Sequence, residues 1–426
     1  MTGTARPGHP PQHLLPAERP FTDLDEEWTR QAATAEQQPD WSDPVRAAAA
    51  RAELARLPGL VTWAEVRHLR TLLAEAAAGQ YQVVQAGDCA EDPQECEPAT
   101  VVRKAALLDA LAGVMTTGTG RPVLRIGRIA GQFAKPRSAP TETVDGIELP
   151  VYRGHLVNAP EPTAAARRAD PGRMVDCYHA ARSAVACLRQ RGGAWGLPAG
   201  APVWTSHEAL VLDYELPLLR RTATDDILLT STHLPWIGER TRNPDGPHAM
   251  MLAQVANPVA CKIGPTTRPQ DLLALCDRLD PGREPGRLTL IVRMGAAAVA
   301  AALPPLVAAV QRAGHRVVWL CDPMHGNTVK APNGVKVRSV RTLVAEVHAF
   351  QEAVAAAGGI PAGLHLETTP HEVAECVWAD PAELGTGPGT APSGTASHCD
   401  PRLNPAQAVE VARAWAGPPG PLTAHR

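Results

Sequence analysis

Eight times along this 426-residue sequence an apolar run gives way abruptly to side chains that ionise or bind metal. In order these are Asp88-Cys89-Ala90-Glu91, Arg128 with Lys135-Pro136-Arg137-Ser138, Ser206-His207-Glu208, Glu239-Arg240, Lys262, Arg293, His325 and Glu367. They sort into two groups. Cys89, His325, Glu367 and the later Asp400 mix thiolate, imidazole and carboxylate, a donor set suited to Mn, Fe, Co or Zn. Singly, each has a plainer reading: a small buried thiol, a hydrogen-bonded loop histidine, a turn carboxylate, an aspartate paired with Arg402. The second group is cationic, with Arg128, Lys135, Arg137, Arg240, Lys262 and Arg293, and arginine's fork matches phosphate and carboxylate oxygens. Any one could be a solvated surface charge, but Lys262 and Arg293 interrupt apolar runs, where an unpaired charge is costly to bury. The chemistry is that of a metal-dependent enzyme acting on small phosphorylated anions. It does not select a reaction.

Side chains so far apart in sequence need a scaffold that brings strand ends together. The stretch Arg316 to Thr328, RVVWLCDPMHGNT, sets the pattern: a strand apolar on both faces breaks at Asp322-Pro323, and His325 follows its C-terminal end. Eight such strands are expected, at 81–88, 122–130, 202–206, 227–234, 257–264, 288–295, 316–322 and 362–368. Their spacing fits a strand plus a crossover helix, so the expected fold is α/β, a (β/α)8 TIM barrel, with an open doubly wound sheet as the alternative. The interval from residue 122 to residue 202 is long enough for an extra loop besides its helix, expected from Gly172 to Arg191. Ahead of the barrel, Asp43-Pro44 and the capping box of Thr62 and Glu65 mark two helices. The expected organisation is a Pro-rich, poorly ordered segment 1–20, a helical extension 21–80 and a catalytic barrel 81–426. Gly/Pro-rich stretches at 191–202 and 385–397 read as loops, and Asn404-Pro405 opens a last helix ending at Gly417.

Composition excludes several classes. With 41 basic and 44 acidic side chains, a formal charge of −3, no broad basic field favours nucleic acid or an anionic membrane. Nine cysteines without a CxxC pair read as reduced thiols. The run Ala296 to Val310 contains Pro304-Pro305 and falls short of the roughly 20 residues that span a bilayer, so it is expected to be a crossover helix. No secretion signal is legible at the N-terminus, and a cytoplasmic protein is expected.

The strings QAGDCAE (85–91), GRIAGQFAKPRS (127–138), TVDGIELPVYRG (143–154), TSHEALVLDYE (205–215), PWIGERTR (235–242), VRMG (292–295), VVWLCDPMHGNT (317–328), HLE (365–367) and CDPRLN (399–404) together resemble the type II, plant-like DAHP synthases. The resemblance runs in order from about residue 20 to the C-terminus. It implies a TIM barrel that condenses phosphoenolpyruvate with erythrose 4-phosphate to DAHP and phosphate, the entry to the shikimate pathway. Carried to matching positions, it implies Cys89, His325, Glu367 and Asp400 as ligands of a divalent metal, manganese foremost, with cobalt, iron and zinc also suited. It implies Arg128, Glu239, Arg240, Lys262 and Arg293 around phosphoenolpyruvate, and Lys135, Arg137 and Ser138 on the sugar phosphate. Lys262 and Glu239 are the candidate catalytic residues. A homodimer and a chorismate mutase partner belong to the same expectation. Two alternatives stay open: an amino-DAHP synthase of an antibiotic pathway, or a non-catalytic phosphoenolpyruvate-binding paralogue. The chain departs from the family pattern at Arg153-Gly154-His155, where RGD is usual, and at Cys376-Val377-Trp378 after HLE. The short stretch between the second and third strands is expected to leave the enzyme insensitive, or weakly sensitive, to aromatic amino acids.

Overall fold

The chain forms strands along short, mostly apolar runs, because both faces of each strand are covered. A computed structural model of the chain describes residues 19–20, 32–144, 146–191, 201–331, 335–378 and 400–416. Eight strands form a closed barrel: β1 (Gln82–Gly87), β2 (Val123–Arg128), β3 (Val203–Glu208), β4 (Leu234–Ile237), β5 (Val259–Ile263), β6 (Leu288–Val292), β7 (Val318–Cys321) and β8 (Pro361–Glu367). All neighbours are parallel and follow chain order, and β8 closes on β1 with Gln85 opposite His365. The barrel expected from the sequence is therefore present, and the open sheet is excluded.

Side chains alternate in and out along each strand. Val83, Ile126, Trp204, Trp236, Ala260, Ile291, Val318 and Leu320 fill the barrel interior as one apolar cluster. Their sequence neighbours Val84, Leu290 and Trp319 belong to the outer cluster shared with the helices. The helices are α1 (Pro44–Arg56), α2 (Trp63–Ala77), α3 (Pro98–Thr119), α4 (Gly172–Gln190), α5 (Pro247–Gln254), α6 (Pro269–Leu279), α7 (Val299–Arg312), α8 (Val340–Ala356) and α9 (Pro405–Ala416). Asp43 accepts from Arg46 N at the start of α1, Thr62 and Glu65 close the capping box of α2, and Asn404 Oδ1 accepts from Gln407 N at the start of α9. These are the caps that the sequence marks.

Several expectations need correction. The fourth barrel strand is Leu234–Ile237, not 227–234. Ile227–Leu229 pairs antiparallel with Leu219–Arg221 in a small separate sheet, which Arg19–Pro20 also joins. The apolar run ILL satisfies its backbone there, and the polar residues Thr230 to His233 carry the chain back to the barrel. The crossover from β3 to β4 thus holds the four-residue helix Leu212–Glu215, a 3-10 turn at Leu216–Leu218 and this sheet instead of a full helix. An unanticipated hairpin, Thr141–Val144 with Ile147–Pro150, follows β2. Residues 1–18, most of the 191–202 stretch and all of 385–397 lie outside the described residues.

The helical extension is built into the barrel. Leu69, Leu73 and Ala76 of α2 join the interior cluster and close the end of the barrel opposite the strand C-termini. The approach is tight enough to require Gly286, whose φ is +70° and where a Cβ would lie 2.3 Å from the Leu73 carbonyl carbon. Leu73 is fully buried. Leu73→Ala is expected to destabilise the whole barrel by about 2–5 kcal/mol. Urea unfolding should show one shifted transition, whereas an added early transition with the main one unmoved would mean that α2 is dispensable to the core.

Candidate active site

The alternation that fills the barrel with apolar residues lower down brings polar ones to the interior at the strand C-termini. A polar layer comes first: Gln85 Nε2 donates to Ser206 Oγ at 2.7 Å and Gln85 Oε1 meets His365 Nδ1 at 2.8 Å, while His365 Nε2 meets Arg128 Nη1 at 2.7 Å. Above it opens a cavity of about 790 Å3, lined among others by Cys89, Arg128, Lys135, Arg137, Ser138, Glu208, Glu239, Arg240, Lys262, Arg293, His325, Arg338, Glu367 and Asp400. Every site residue expected from the sequence therefore borders one cavity.

Cys89 Sγ and oxygens of Glu367 and Asp400 lie within 4.8 Å of one another. His325 stands beside them, its Nε2 3.2 Å from Glu367 Oε1. Its Nδ1 meets Asp322 Oδ2 at 2.8 Å, which fixes the ring and leaves Nε2 facing the cluster. Asp322 is fully buried. Burial opposes its ionisation, but the charges of His325 and Lys262 prevail and hold its pKa well below the usual carboxylate range. Glu367 is likewise held ionised against burial by His325, Arg338 and Arg128. Lys135 Nζ donates to Cys89 Sγ and to Asp400 Oδ2, both at 2.7 Å. An ammonium rests between the Cys89 sulfur and the Asp400 carboxylate, so this cluster already accommodates a cation. The donor set fits a divalent transition metal, and the thiol disfavours Mg and Ca.

The cations differ in how far they are committed. Arg128 donates to Asp88 O at 2.9 Å and Glu367 Oε1 at 3.2 Å and lies 5.2 Å from the Trp236 ring centroid, so it braces β1 against β8. Arg137 pairs with Glu142 at 3.0 Å, and Arg240 donates to Ser138 Oγ, linking two loops across the cavity. Glu239 accepts from Arg242 at 2.6 Å. Lys262 Nζ is 3.1 Å from Asp322, and burial lowers its pKa although Asp322 works the other way. Asp400 pairs with Lys135 and Lys336. Arg402 turns instead to Asp88 at 2.8 Å and Glu375 at 3.0 Å, so the simple Asp400–Arg402 pair is absent.

Three participants carry no mark in the sequence that assigns them a role. Glu208 sits at the interior end of β3, and burial raises its pKa despite Lys262 and Arg128 nearby. It belongs to the strand-end residues, but nothing in its spacing sets it apart. Glu91 accepts from the backbone N–H groups of Ala130, Gly131 and Gln132, at 3.1, 2.8 and 2.9 Å, and so holds Ala130 at a left-handed φ of +66°. Lys104, buried on α3, lies 2.6 Å from Asp88 and 2.9 Å from Glu95. Neither departure from the family pattern borders the cavity: His155 lies 3.9 Å from Asp92, and Val377 bonds the backbone on both sides of Ser339. Lys104→Met would remove one of the two cations that meet buried Asp88, leaving it Arg402, and would also leave Glu95 without this partner. It is expected to cost about 3–5 kcal/mol, measured by denaturant unfolding. A loss below about 1 kcal/mol would show the pair to be dispensable.

Comparison with known proteins identifies the family. The Class-II DAHP synthetase family matches residues 25–196 and 199–416. A "Probable phospho-2-dehydro-3-deoxyheptonate aldolase" from Pseudomonas fluorescens is 51% identical over 391 residues, covering 90% of this chain and 95% of that protein. A "Phospho-2-dehydro-3-deoxyheptonate aldolase AroG" from Mycolicibacterium smegmatis is 39% identical, covering 89% and 92%. Among solved structures, the phospho-2-dehydro-3-deoxyheptonate aldolase of Francisella tularensis is similar in fold, with a TM-score of 0.51 at 14% identity over 82% of this chain and 90% of that one. With the family matched along nearly its whole length, the chain belongs to the Class-II DAHP synthetases.

Proposed function

We propose that this protein is a metal-dependent 3-deoxy-7-phosphoheptulonate synthase that joins phosphoenolpyruvate to erythrose 4-phosphate. The observation that carries the reading is the convergence, in one cavity, of a Cys-His-Glu-Asp cluster with Arg293 and a buried Lys262. Cys89, His325, Glu367 and Asp400 would hold the metal, with manganese the first candidate. Bound there, it would supply Lewis acidity to the acceptor's aldehyde oxygen. Arg293, Arg240, Arg128 and Lys262 would bind the phosphate and carboxylate of phosphoenolpyruvate, with Glu239 beside them. Arg137 and Ser138 would take the acceptor's phosphate. Lys135, engaged by Cys89 and Asp400 in this structure, would reach that phosphate only by leaving them.

In the reaction the enol carbon of phosphoenolpyruvate bonds to the aldehyde carbon, whose oxygen gains a proton. Water adds at the phosphate-bearing carbon, loses a proton, and the carbon–oxygen bond to phosphate breaks. Lys262 suits this proton traffic because burial eases loss of the proton at Nζ and Asp322 orients that atom. Burial raises the pKa of Glu208, which faces the same cavity, and this supports a role in holding the attacking water. No helix among the described residues is long and apolar enough to cross a membrane. A cytoplasmic homodimer, with chorismate mutase as a partner, completes the proposal.

Phosphate release from phosphoenolpyruvate and erythrose 4-phosphate, with and without Mn, tests the activity. Turnover only with an amino or imino acceptor would indicate the aminoshikimate branch, and none with any acceptor a binding paralogue. Cys89→Ser is expected to weaken metal binding by tens of fold in calorimetry, since a hydroxyl poorly replaces thiolate; wild-type affinity would remove Cys89 from the ligand set. Arg293→Ala should raise KM for phosphoenolpyruvate and Arg137→Ala that for the acceptor, each losing about 1.5–3 kcal/mol. Equal effects on both constants would reject separate subsites. The only helix described between β2 and β3 is α4, which supports insensitivity to Phe, Tyr and Trp, singly or paired at millimolar concentration. Strong inhibition by any combination would refute this.

A further inference from the structure

Arg338 belongs to neither the ligand set nor the substrate-binding set, yet it links the loops that carry three of the four candidate metal ligands. Its side chain is fully buried. Nη1 donates to Glu367 Oε2 at 2.6 Å and to the carbonyl of Pro401, the residue after Asp400. Nε donates to Thr328 Oγ1 at 2.8 Å, three residues beyond His325. Its own carbonyl accepts from Val377 N at 2.9 Å, and Val340 N donates to Val377 O at 2.8 Å, so the backbone is clamped on both sides. The clamp comes from the Cys376-Val377-Trp378 segment, one of the two departures from the family pattern. Nη2 has no hydrogen-bond partner among the described residues, and the side chain borders the cavity.

A desolvated guanidinium is a poor way to gain stability, since its burial offsets most of what its ion pair returns. Its geometry is what an aliphatic side chain could not supply. The planar fork reaches acceptors in three separate loops at fixed angles, whereas an ammonium is a single point charge. By occupying Glu367 Oε2, it leaves Oε1 as the oxygen on the side of His325 Nε2.

We propose that Arg338 is a positioning residue of the metal centre, setting the spacing of Glu367, Asp400 and the His325 loop so that metal affinity and coordination geometry depend on its fork. The inference rests on the metal-centre reading above. It is tested by titrating metal-free protein with Co2+, following heat by calorimetry and absorption from the near-ultraviolet through the visible. Wild type is expected to bind one ion per chain with a thiolate-to-cobalt band; without that band the metal-centre reading itself fails, and this inference with it. Arg338→Lys keeps the charge and loses the fork. It is expected to bind Co2+ about 10–100-fold more weakly, with a changed visible spectrum, while its metal-free melting profile reports on folding. Wild-type affinity and an unchanged spectrum in that variant would overturn the proposal. Should it fail to fold, Thr328→Val removes only the acceptor for Nε and is expected to weaken Co2+ binding severalfold; wild-type affinity there would equally overturn it.

Discussion

An apolar barrel that ends in a crowd of charges must neutralise them among themselves, and this constraint organises the upper half of the molecule. Lys262, Asp322, Arg128, Glu367, Arg338, Asp88 and Lys104 are all nearly or fully buried. Each would be expensive to bury alone. Each is paired with opposite charge instead. Lys104 and Arg402 meet Asp88, Arg128 and Arg338 meet Glu367, and Lys262 and His325 meet Asp322. The strands supply the fixed frame, because period-two alternation sends one side chain per turn of the pleat inward at a set height. Charge pairing then decides where each inward tip rests. Each of these seven tips is claimed by more than one partner.

Much of this is legible in the amino-acid sequence alone. The strand pattern is readable because a barrel strand, covered on both faces, carries a short and mostly apolar run, and VVWL or LTLIV has few other uses. Ligand and cation types are readable because they interrupt those runs. The fourth strand is misplaced by such a reading since Ile227 to Leu229 is equally apolar, and only its antiparallel partner at Leu219 to Arg221 distinguishes it. Partner strands are a property of the fold, and no local pattern reports them.

What stays hidden are side chains that act on other side chains. Cys89 and His325 announce their chemistry by type. Arg338, Lys104 and Glu91 do not, because an arginine in a basic turn, a lysine on a helix and a glutamate after a strand are ordinary on any surface. Their burial is set by elements far away in sequence. Lys135 shows the same limit from the other side. Its charge and its place after a strand mark it for the site, but its position between Cys89 and Asp400 depends on two loops brought together only by the closed barrel.

The amphipathic helix at the barrel floor has a further consequence, for the order in which the protein is made. Residues 63–77 leave the ribosome before any strand of the barrel, so Leu69, Leu73 and Ala76 have no interior to enter. Their surroundings are complete only once β8 has emerged and paired with β1, a seam whose Gln85 and His365 are 280 residues apart in sequence. Contacts of such range form slowly. The nascent chain therefore carries a helix with an unsheltered apolar face through most of its synthesis, and that face must be kept from aggregation until the last strand arrives.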